Sequence, residues 1–424
     1  MSMTVTDVNQ LKQVVHNVIE DTAVTDMHTH LYAPVFGDLL LYGPDELITY
    51  HYLIAETMRH TALTYDEFWA LSKEEMANHI WQTLFLEHSP YSEACRGILT
   101  TFHTLGLDLR TRNLDAYREW YGTLSAAEAV DLVFQKANVK EVVMTNDPFD
   151  DEEHHLWLTN GEALKQDKRF HAALRIDPLL NDWDNTYKKL RAWGYDVQPD
   201  VTQDEQTVSE VTRFLVEWGR RMEAVYMAVS LPIEFQFPVE DTRSALIERC
   251  VVAACRELNI PFAMMIGVKR RANPNLQLAG DMGGRADIQA VERMCARFPS
   301  NRFFVTMLSR ENQHDLAVLA RKFPNLMPFG CWWFLNNPSL IEEITTMRFE
   351  LLGTSVIPQH SDARVLDQLL YKWGHSRKVI EDVLFGKYRD ILASGWQIEQ
   401  QEIERDAADL FGQNFWRFVR GKKV

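Results

Sequence analysis

Two histidines separated by a single residue are the first feature of this sequence that could do chemistry. His28 and His30 lie in the run TDMHTHL, residues 25–31, directly after a β-prone stretch. Because side chains alternate between the two faces of a strand, both imidazoles point the same way, about 6–7 Å apart. Two such imidazoles can bind one metal ion. Asp26 shares their face and could accept a hydrogen bond from a ring N–H. The alternative is a polar strand end without a role.

Asp362 is the third candidate ligand, in the run QHSDAR at residues 359–364. Its carboxylate would reach the same ion if its strand lies beside that of the histidines. Three protein ligands and one open coordination position are typical of a catalytic metal site, whereas a structural zinc site has four protein ligands. The alternative is that Asp362 caps a helix predicted over residues 362–373. His360 is either a further ligand or neighbouring acid, or a hydrogen-bonded histidine outside the site.

Two arginines and two tryptophans are candidates for binding a substrate. Arg175 and Arg364 could hold an anionic group, because a guanidinium matches a carboxylate with two parallel hydrogen bonds. Their alternative role is a structural salt bridge, for example with Asp177. Of the adjacent Trp332 and Trp333, we expect one to form the wall of a sugar-sized pocket and the other to belong to the core.

Eight apolar, β-prone runs would position these residues. They are Ala23–His28, Glu141–Thr145, Phe170–Ile176, Val225–Ser230, Pro261–Gly267, Arg302–Leu308, Leu326–Cys331 and Leu352–Pro358. Helical-period segments follow from the third run onward, at 204–222, 241–257, 286–298, 311–322, 338–348 and 362–373. Apolar strands that alternate with helices indicate parallel pairing, and eight of them predict an α/β fold of the (β/α)8 TIM-barrel type. The other candidate, an open doubly wound sheet, normally has a glycine-rich phosphate turn, which is missing here.

The connection between the first two strands is too long for one crossover helix. Residues 33–138 carry amphipathic helices predicted at 44–60, 65–88, 91–105, 114–121 and 125–138. Such an insertion would lie above the C-terminal face of the barrel, where active sites occur. His51 and Tyr52 open one of its helices. We therefore expect one elaborated barrel domain over 1–424, with a helical insertion at 33–138 and helices again at 375–424.

The barrel interpretation places polar groups at one end of the sheet. Six of the eight strand ends carry charged or metal-capable side chains, although a structural strand end would tolerate any residue. Besides the residues named above, these ends contribute Asn146, Asp147, Lys269, Arg270, Ser309, Arg310 and His314. This concentration indicates a catalytic face.

Composition limits the partners of the chain. A formal net charge of −16 over 424 residues argues against nucleic acid and anionic membranes, and it requires local Arg or Lys for any anionic substrate. Five scattered cysteines without CxxC spacing indicate reduced thiols in a cytoplasmic protein. No basic and apolar leader begins the sequence, and no apolar run is long enough to span a membrane. The acidic, Trp-rich tail is either a cover for the barrel or a subunit interface in a homo-oligomer.

Several motifs in order give the sequence a family resemblance. DMHTHL, then HY and an arginine, VVMTNDPFD, AALRIDP, GCWWFLNNP and QHSDAR resemble the uronate isomerases of the amidohydrolase superfamily, in a short, divergent branch. The similarity runs from about residue 20 to residue 420. It departs from the family's TDDP pattern at Asn146, which puts a role for that first carboxylate in doubt.

The resemblance implies a distorted (β/α)8 barrel with one divalent metal ion, usually zinc. It implies the reversible isomerisation of D-glucuronate to D-fructuronate and of D-galacturonate to D-tagaturonate. His28, His30 and Asp362 match the metal ligands of the family. The residues that match positions near the substrate are Arg175, Arg364, His51, Tyr52 and one of Trp332 and Trp333.

An aldose–ketose isomerase must move a proton between neighbouring carbons. Asp362 could be the base or help to open the sugar ring, Tyr52 could carry the proton on the opposite side, and His51 could orient a hydroxyl. The sequence does not divide these roles. Two other functions stay open at this point: a metal-dependent hydrolase or decarboxylase on the same barrel, and a sugar-acid sensor without catalysis.

Overall fold

A curled parallel sheet forms the centre of the protein, whose computed structural model describes residues 3–201 and 203–422. The ends of the predicted 1–424 domain and of its 375–424 extension therefore lie outside the described residues. The seven strands pair in sequence order. They are β1 (Val24–Thr29), β2 (Val139–Asn146), β3 (Phe170–Arg175), β4 (Met227–Pro232), β5 (Phe262–Lys269), β6 (Phe303–Met307) and β7 (Leu326–Pro328). Most of their side chains are buried, as the continuous apolar runs predicted.

The prediction of a regular eighth strand over Leu352–Pro358 is wrong. The helix Pro338–Leu352 includes its first residue, and Ile357 makes only one isolated parallel bridge, to Phe329. An irregular segment, residues 357–363, nevertheless bonds to both edges of the sheet. Gly330 N–H donates to Ile357 O near β7, and His30 N–H donates to Ala363 O beyond β1. This closing segment occupies the eighth place of the sheet, and the predicted TIM-type α/β fold class is confirmed.

Helices cover the outside of the sheet and separate its strands. After Val8–Asp21, which precedes β1, they are Asp151–Leu164, Asp177–Asn181, Trp183–Ala192, Glu205–Met222, Thr242–Leu246 continuing through Ile247–Val251 and Val252–Leu258, Ile288–Arg297, Gln313–Ala320 and Pro338–Leu352. Asp204 caps Glu205–Met222 at its N-terminus, and Glu223 ends it in a left-handed conformation. Within the described ranges, no helix is both long and apolar enough to cross a membrane.

The first connection is helical, as the sequence predicts, but the helices predicted at 44–60 and 65–88 are each divided into shorter ones. The helices are Pro44–Ile48, His51–Thr57, Tyr65–Trp69, Lys73–Trp81 continuing through Gln82–Glu87, Glu93–Thr104, Leu114–Tyr121 and Ala126–Ala137, after a short turn at Pro34–Leu39. Most of these helices enclose their own apolar cluster, which includes Phe68, Trp81, Phe102 and Tyr117. Val365, just beyond the closing segment, joins this cluster and ties the insertion to the sheet.

The chain ends in helices that reach the bottom of the barrel. They are Gln368–Ala393, Gln400–Ala408 continuing through Asp409–Gln413, and Asn414–Val419. The first of them starts at 368, so the helix predicted from residue 362 begins six residues later than expected. Phe415 and Phe418 pack among barrel side chains such as Phe304 and Tyr226.

Glu141 fastens this tail to the sheet. Its carboxylate accepts hydrogen bonds from Thr25 Oγ1 at 2.7 Å, His171 Nε2 at 2.9 Å and Trp416 Nε1 at 2.9 Å. Burial alone would raise the pKa of Glu141, but these hydrogen bonds outweigh it and lower the pKa to about 2. One carboxylate therefore joins β1, β2, β3 and the C-terminal helix.

We expect Glu141→Gln to lower the free energy of unfolding near pH 7 by on the order of 2 kcal/mol. The folded-state pKa lies below the ordinary value of 4.5, so the carboxylate stabilises the fold above that value and loses its effect as pH falls toward 2. Urea unfolding of wild type and variant should therefore converge as the pH is lowered through this range. Glu152→Gln, at an exposed position, is the control, and a wild-type-minus-variant difference that does not change with pH would contradict this account.

Candidate metal and substrate site

His28 is buried inside the barrel with its ring orientation fixed. Tyr226 donates its hydroxyl proton to Met27 O at 2.8 Å, so the oxygen accepts from His28 Nδ1, 3.0 Å away. The proton on His28 therefore sits on Nδ1, and the lone pair of Nε2 points elsewhere. Burial, foremost, lowers the pKa of His28 well below its ordinary value, which keeps the ring neutral and able to bind a metal.

His30 is held in the same way by a residue of the next strand. Thr145 donates its hydroxyl to Thr29 O at 2.9 Å and faces His30 Nδ1 at 2.8 Å. This arrangement again leaves Nε2 as the free nitrogen. Burial lowers the pKa of His30 as well, although Asp362 opposes the shift. Both imidazoles thus present Nε2 to a common point, as predicted from their shared strand face.

Asp26 has a different role from the expected one. Its carboxylate accepts no imidazole N–H within the described residues; it accepts Ser361 N–H at 3.1 Å and Trp373 Nε1–H at 2.8 Å. Lys372 donates to Ser361 O at 2.5 Å. The side chain of Asp26 therefore positions the closing segment instead of a ligand ring, and the prediction of a ring contact is wrong.

Asp362 follows this fixed serine in a left-handed backbone conformation, with φ of 52°. Its N–H donates to His28 O at 3.1 Å, so the backbone of the closing segment is bonded directly to β1. Asp362 is not the N-cap of the following helix, because that helix begins at Gln368. The side chain instead faces the two histidines.

The three side chains fit a metal ion. Asp362 Oδ1 lies 3.4 Å from His30 Nε2 and 3.6 Å from His28 Nε2, too long for strong hydrogen bonds. Ligand atoms about 2.0–2.2 Å from an ion in tetrahedral geometry lie about 3.4 Å from one another. His28 Nε2 and Asp362 Oδ1 are buried and have no hydrogen-bond partner in the described chain. Unsatisfied buried atoms at these spacings support a metal ion bound by these three residues.

The charges of the three groups also suit a cation. Burial would raise the pKa of Asp362, but His30, His28 and Lys372 outweigh it and hold the pKa far below its ordinary range. The low pKa favours the ionised carboxylate. In residues 3–201 and 203–422, one other group of three could hold an ion: His16, Glu20 and Glu381, on the outer helices.

A cavity of about 500 Å³ opens beside the three ligands. It is lined by His30, Tyr50, His51, Arg175, Ser230, Met265, Val268, Arg270, Arg271, Leu278, Asp281, Trp332, Trp333, Asp362 and Arg364. The cavity thus gathers four guanidinium groups and two carboxylates in an otherwise acidic protein. Both tryptophans line it, where one was expected.

The two predicted arginines differ in whether their guanidinium groups already have partners in the protein. Arg175 Nη2 donates to Asp177 Oδ1 at 3.1 Å, which is the structural salt bridge considered as its alternative role. Its Nε is buried and lacks a partner in the described residues. Arg364 is exposed, and its guanidinium makes no hydrogen bond or ion pair within the described chain. Both lie near enough to lower the pKa of His30, so both are close to the ligands.

His51 contributes a neutral imidazole from the insertion. Trp333 Nε1–H donates to His51 Nε2 at 3.2 Å, and burial lowers the pKa of His51 to about 3. Tyr52 lines an adjoining cavity together with His51, Trp333 and Tyr371, whereas Tyr50 lines the main one. The Tyr52 hydroxyl is buried without a partner among the described residues, and burial raises its pKa far above 10. The phenol is therefore protonated.

Other predicted strand-end residues lie outside the cavity. Asn146 donates to Glu153 at 3.0 Å, and Arg310 pairs with Glu343 on the surface. His314 is also at the surface. His360 is completely buried against the ring of His28, with ring centroids 5.4 Å apart, and does not belong to the three-residue group.

Sequence reasoning missed the groups that orient the ligands. Thr145 was visible as the first residue of the TNDP motif, but nothing marked its hydroxyl as a partner of His30. Tyr226 begins the fourth strand region without any motif. Arg271 and Asp281 follow β5, where the run Lys269-Arg270-Arg271 was the available signal.

The chain is similar to several solved structures. It matches no family model and no curated protein. A uronate isomerase from Bacillus halodurans C-125 is 55% identical over 99% of this chain and 98% of that chain, with a TM-score of 0.95. A uronate isomerase from Thermotoga maritima has 15% identity, 97% coverage of each chain and a TM-score of 0.76. A glucuronate isomerase from Caulobacter crescentus has 14% identity over 98% of this chain and 95% of that chain, with a TM-score of 0.77. The two lower identities show a shared fold alone.

The hydrogen bond between Tyr226 and His28 gives a test of the metal site. We expect Tyr226→Phe to weaken the binding of a divalent metal ion about 10- to 100-fold, because His28 loses the acceptor that fixes its tautomer. Competition with a chelating dye measures the affinity. Tyr117→Phe removes a hydroxyl that bonds to Asp108 O in the insertion and serves as the control. Equal metal affinities of Tyr226→Phe and wild type would argue against the proposed ligand geometry.

Proposed function

This chain belongs to the uronate isomerase family, and from that premise we propose that it interconverts D-glucuronate with D-fructuronate and D-galacturonate with D-tagaturonate. The observation that carries the proposal is the position of Arg364, an unpaired guanidinium beside His30 and Asp362 in one cavity. A sugar acid presents both a carboxylate for such a group and oxygens for a metal site. The substrate is a small sugar acid.

We propose zinc as the metal ion, held by His28, His30 and Asp362. Two imidazole nitrogens and one carboxylate oxygen are a ligand set that zinc commonly takes, and three protein ligands leave a position for substrate or water. When bound, the ion acts as a Lewis acid that stabilises negative charge on a substrate oxygen. Protein side chains perform the proton transfers.

Asp362 is our candidate for the base that takes the proton from carbon 2 of the open-chain sugar. Oδ1 faces the two imidazoles, which leaves Oδ2 for proton transfer. The low pKa of Asp362 keeps it ionised and ready to accept a proton. It also makes the carboxylate a weak base, so the acidity of the substrate proton must rise in the site. The resulting enediolate is stabilised by the surrounding cationic groups.

His51 and Tyr52 are our candidates for the remaining steps. His51 accepts from Trp333 through Nε2, so its proton sits on Nδ1, where it can form a hydrogen bond that orients a substrate hydroxyl. A protonated Tyr52 can donate a proton to the neighbouring carbon but cannot act first as a base. Tyr50 reaches the main cavity from the same turn and is a second donor for this role. Both phenols stay neutral because burial, above all, raises their pKa values.

The carboxylate at carbon 6 is assigned to Arg364, with Arg175 as a supporting cation. Among the described residues, the guanidinium of Arg364 makes no hydrogen bond, whereas Asp177 already accepts one from Arg175. Two parallel hydrogen bonds to a carboxylate favour uronates over neutral sugars. Trp332 and Trp333 form the wall beside this position.

Three further expectations accompany this assignment as proposals. The location is cytoplasmic, the acidic, Trp-rich tail is either a cover for the barrel or a subunit interface in a homo-oligomer, and the predicted 1–424 range is one elaborated barrel domain. The five cysteines are buried thiols, which agrees with a reducing compartment.

We expect Arg364→Met to raise KM for glucuronate about 10- to 100-fold, the loss of a charge-assisted hydrogen-bonded pair. KM for any neutral aldose that the enzyme turns over should change much less. Steady-state kinetics with both sugars measure the difference, and Arg364→Lys is expected to be intermediate. Equal effects on the two sugars would contradict the carboxylate assignment.

Proton NMR in deuterated water tests the function itself. D-glucuronate and D-galacturonate are incubated with zinc-loaded protein, and a His28→Asn/His30→Asn variant is the control. New ketose signals that are absent with the control are expected. Deuterium at carbon 2 of recovered substrate would show that the abstracted proton exchanges with solvent. Unchanged sugars with metal bound would refute the isomerase proposal.

A further inference from the structure

A hairpin beyond β5 forms the side of the cavity that faces the metal ligands. It starts at Lys269 and returns at Met282–Gly283, a short strand that pairs antiparallel with β5. The sheet has eight places, counting the closing segment, so β5 lies four places from β1 in either direction. The hairpin therefore stands across the cavity from His28 and His30.

The hairpin is held firmly on both sides. Asn273 N–H donates to Gly280 O at 3.1 Å, which closes its tip. The insertion fixes it from above, because Trp69 Nε1 donates to Asn275 O at 2.8 Å and Asn273 Nδ2 donates to Tyr65 OH at 3.1 Å. Side chains at its base are thus placed by a rigid element.

Asp281 shapes the turn that presents Arg271. Its side chain is 2% exposed and accepts the backbone N–H of Arg271 at 2.7 Å and Arg270 Nη1 at 2.6 Å. Arg271 itself has a left-handed φ of 48°. A buried carboxylate thereby fixes an uncommon backbone conformation, as often occurs next to ligand sites.

The guanidinium of Arg271 does not stabilise the described part of the fold through hydrogen bonds or ion pairs. It lines the cavity and is exposed, and in the part of the chain that the structure describes it makes no hydrogen bond or ion pair. Arg270, its neighbour, is paired with Asp281, and Arg175 is paired with Asp177. Arg271 and Arg364 are thus the two unpaired cations of the cavity, and Arg364 belongs to the ligand side.

We propose that Arg271 captures the carboxylate of an entering uronate at the mouth of the cavity, before Arg364 holds it in the bound state. This inference rests on the proposed function. A chain of net charge −16 repels an anionic sugar, so a fixed cation at the entrance raises the local substrate concentration. The effect is electrostatic and is screened by salt, since the Debye length falls from about 30 Å at 0.01 M to about 3 Å at 1 M.

The test compares kcat/KM for glucuronate at low and high ionic strength in zinc-loaded wild type, Arg271→Gln, Arg271→Lys and Arg389→Gln. Arg389 is a surface arginine paired with Asp390, and its substitution makes the same change in net charge. We expect Arg271→Gln to lower kcat/KM about 5- to 20-fold at 0.01 M salt and to match wild type at 1 M salt. Arg271→Lys should keep most of the low-salt rate, and Arg389→Gln should be unchanged.

Three outcomes would overturn the proposal: no loss in Arg271→Gln at low salt, an equal loss at both salt concentrations, or an equal loss in Arg389→Gln. Calorimetric binding of glucuronate to the same zinc-loaded proteins separates this inference from the isomerase proposal. A wild type that binds glucuronate without turnover, with the same salt-dependent loss in Arg271→Gln, would refute the isomerase function and support the capture role.

Discussion

The bond between the closing segment and β1 is the interaction on which both fold and site depend. Asp362 N–H donates to His28 O, and His30 N–H donates to Ala363 O, so the segment satisfies the free edge of the first strand. The same two bonds place the Asp362 carboxylate beside both imidazoles. The same hydrogen bonds therefore close the sheet and bring the three candidate ligands together. The left-handed φ of Asp362 is tolerated because these bonds fix the backbone there.

Buried charges keep that segment in place. Asp26 accepts Ser361 N–H on one side of the peptide chain, and Lys372 donates to Ser361 O on the other. Burial raises the pKa of Asp26 to about 6 and lowers the pKa of Lys372, although the nearby Asp26 and Asp362 favour the charged lysine. An isolated charge would be costly here, whereas opposite charges with hydrogen bonds tolerate burial. The ligand geometry is thus supported by a polar network of Asp26, Ser361 and Lys372, none of which lines the cavity of about 500 Å³.

The sequence predicted the fold class, and it brought together the candidate metal ligands, for physical reasons that can be stated. Continuous apolar runs identify strands that are buried on both faces, and a period of two puts His28 and His30 on one side. The prediction of a regular eighth strand was wrong because a few backbone hydrogen bonds at its two ends and side-chain hydrogen bonds to Ser361 hold residues 357–363, without the regular pairing that an apolar run implies. The partners of the imidazoles lie 198 residues from His28 and 115 from His30, so no local pattern could reveal Tyr226 or Thr145.

Electrostatics in the cavity follow from how each arginine is paired. Asp177 and Asp281 neutralise Arg175 and Arg270, and their carboxylates also accept backbone N–H groups, so these pairs serve the scaffold. In residues 3–201 and 203–422, the guanidinium groups of Arg364 and Arg271 have no partner, and they lie on opposite sides of the cavity. An anion that enters this cavity therefore meets two arginines that are unpaired among the described residues, Arg364 and Arg271, besides the paired Arg175 and Arg270. Selectivity for a sugar acid then depends less on net charge than on which arginines the buried carboxylates leave free.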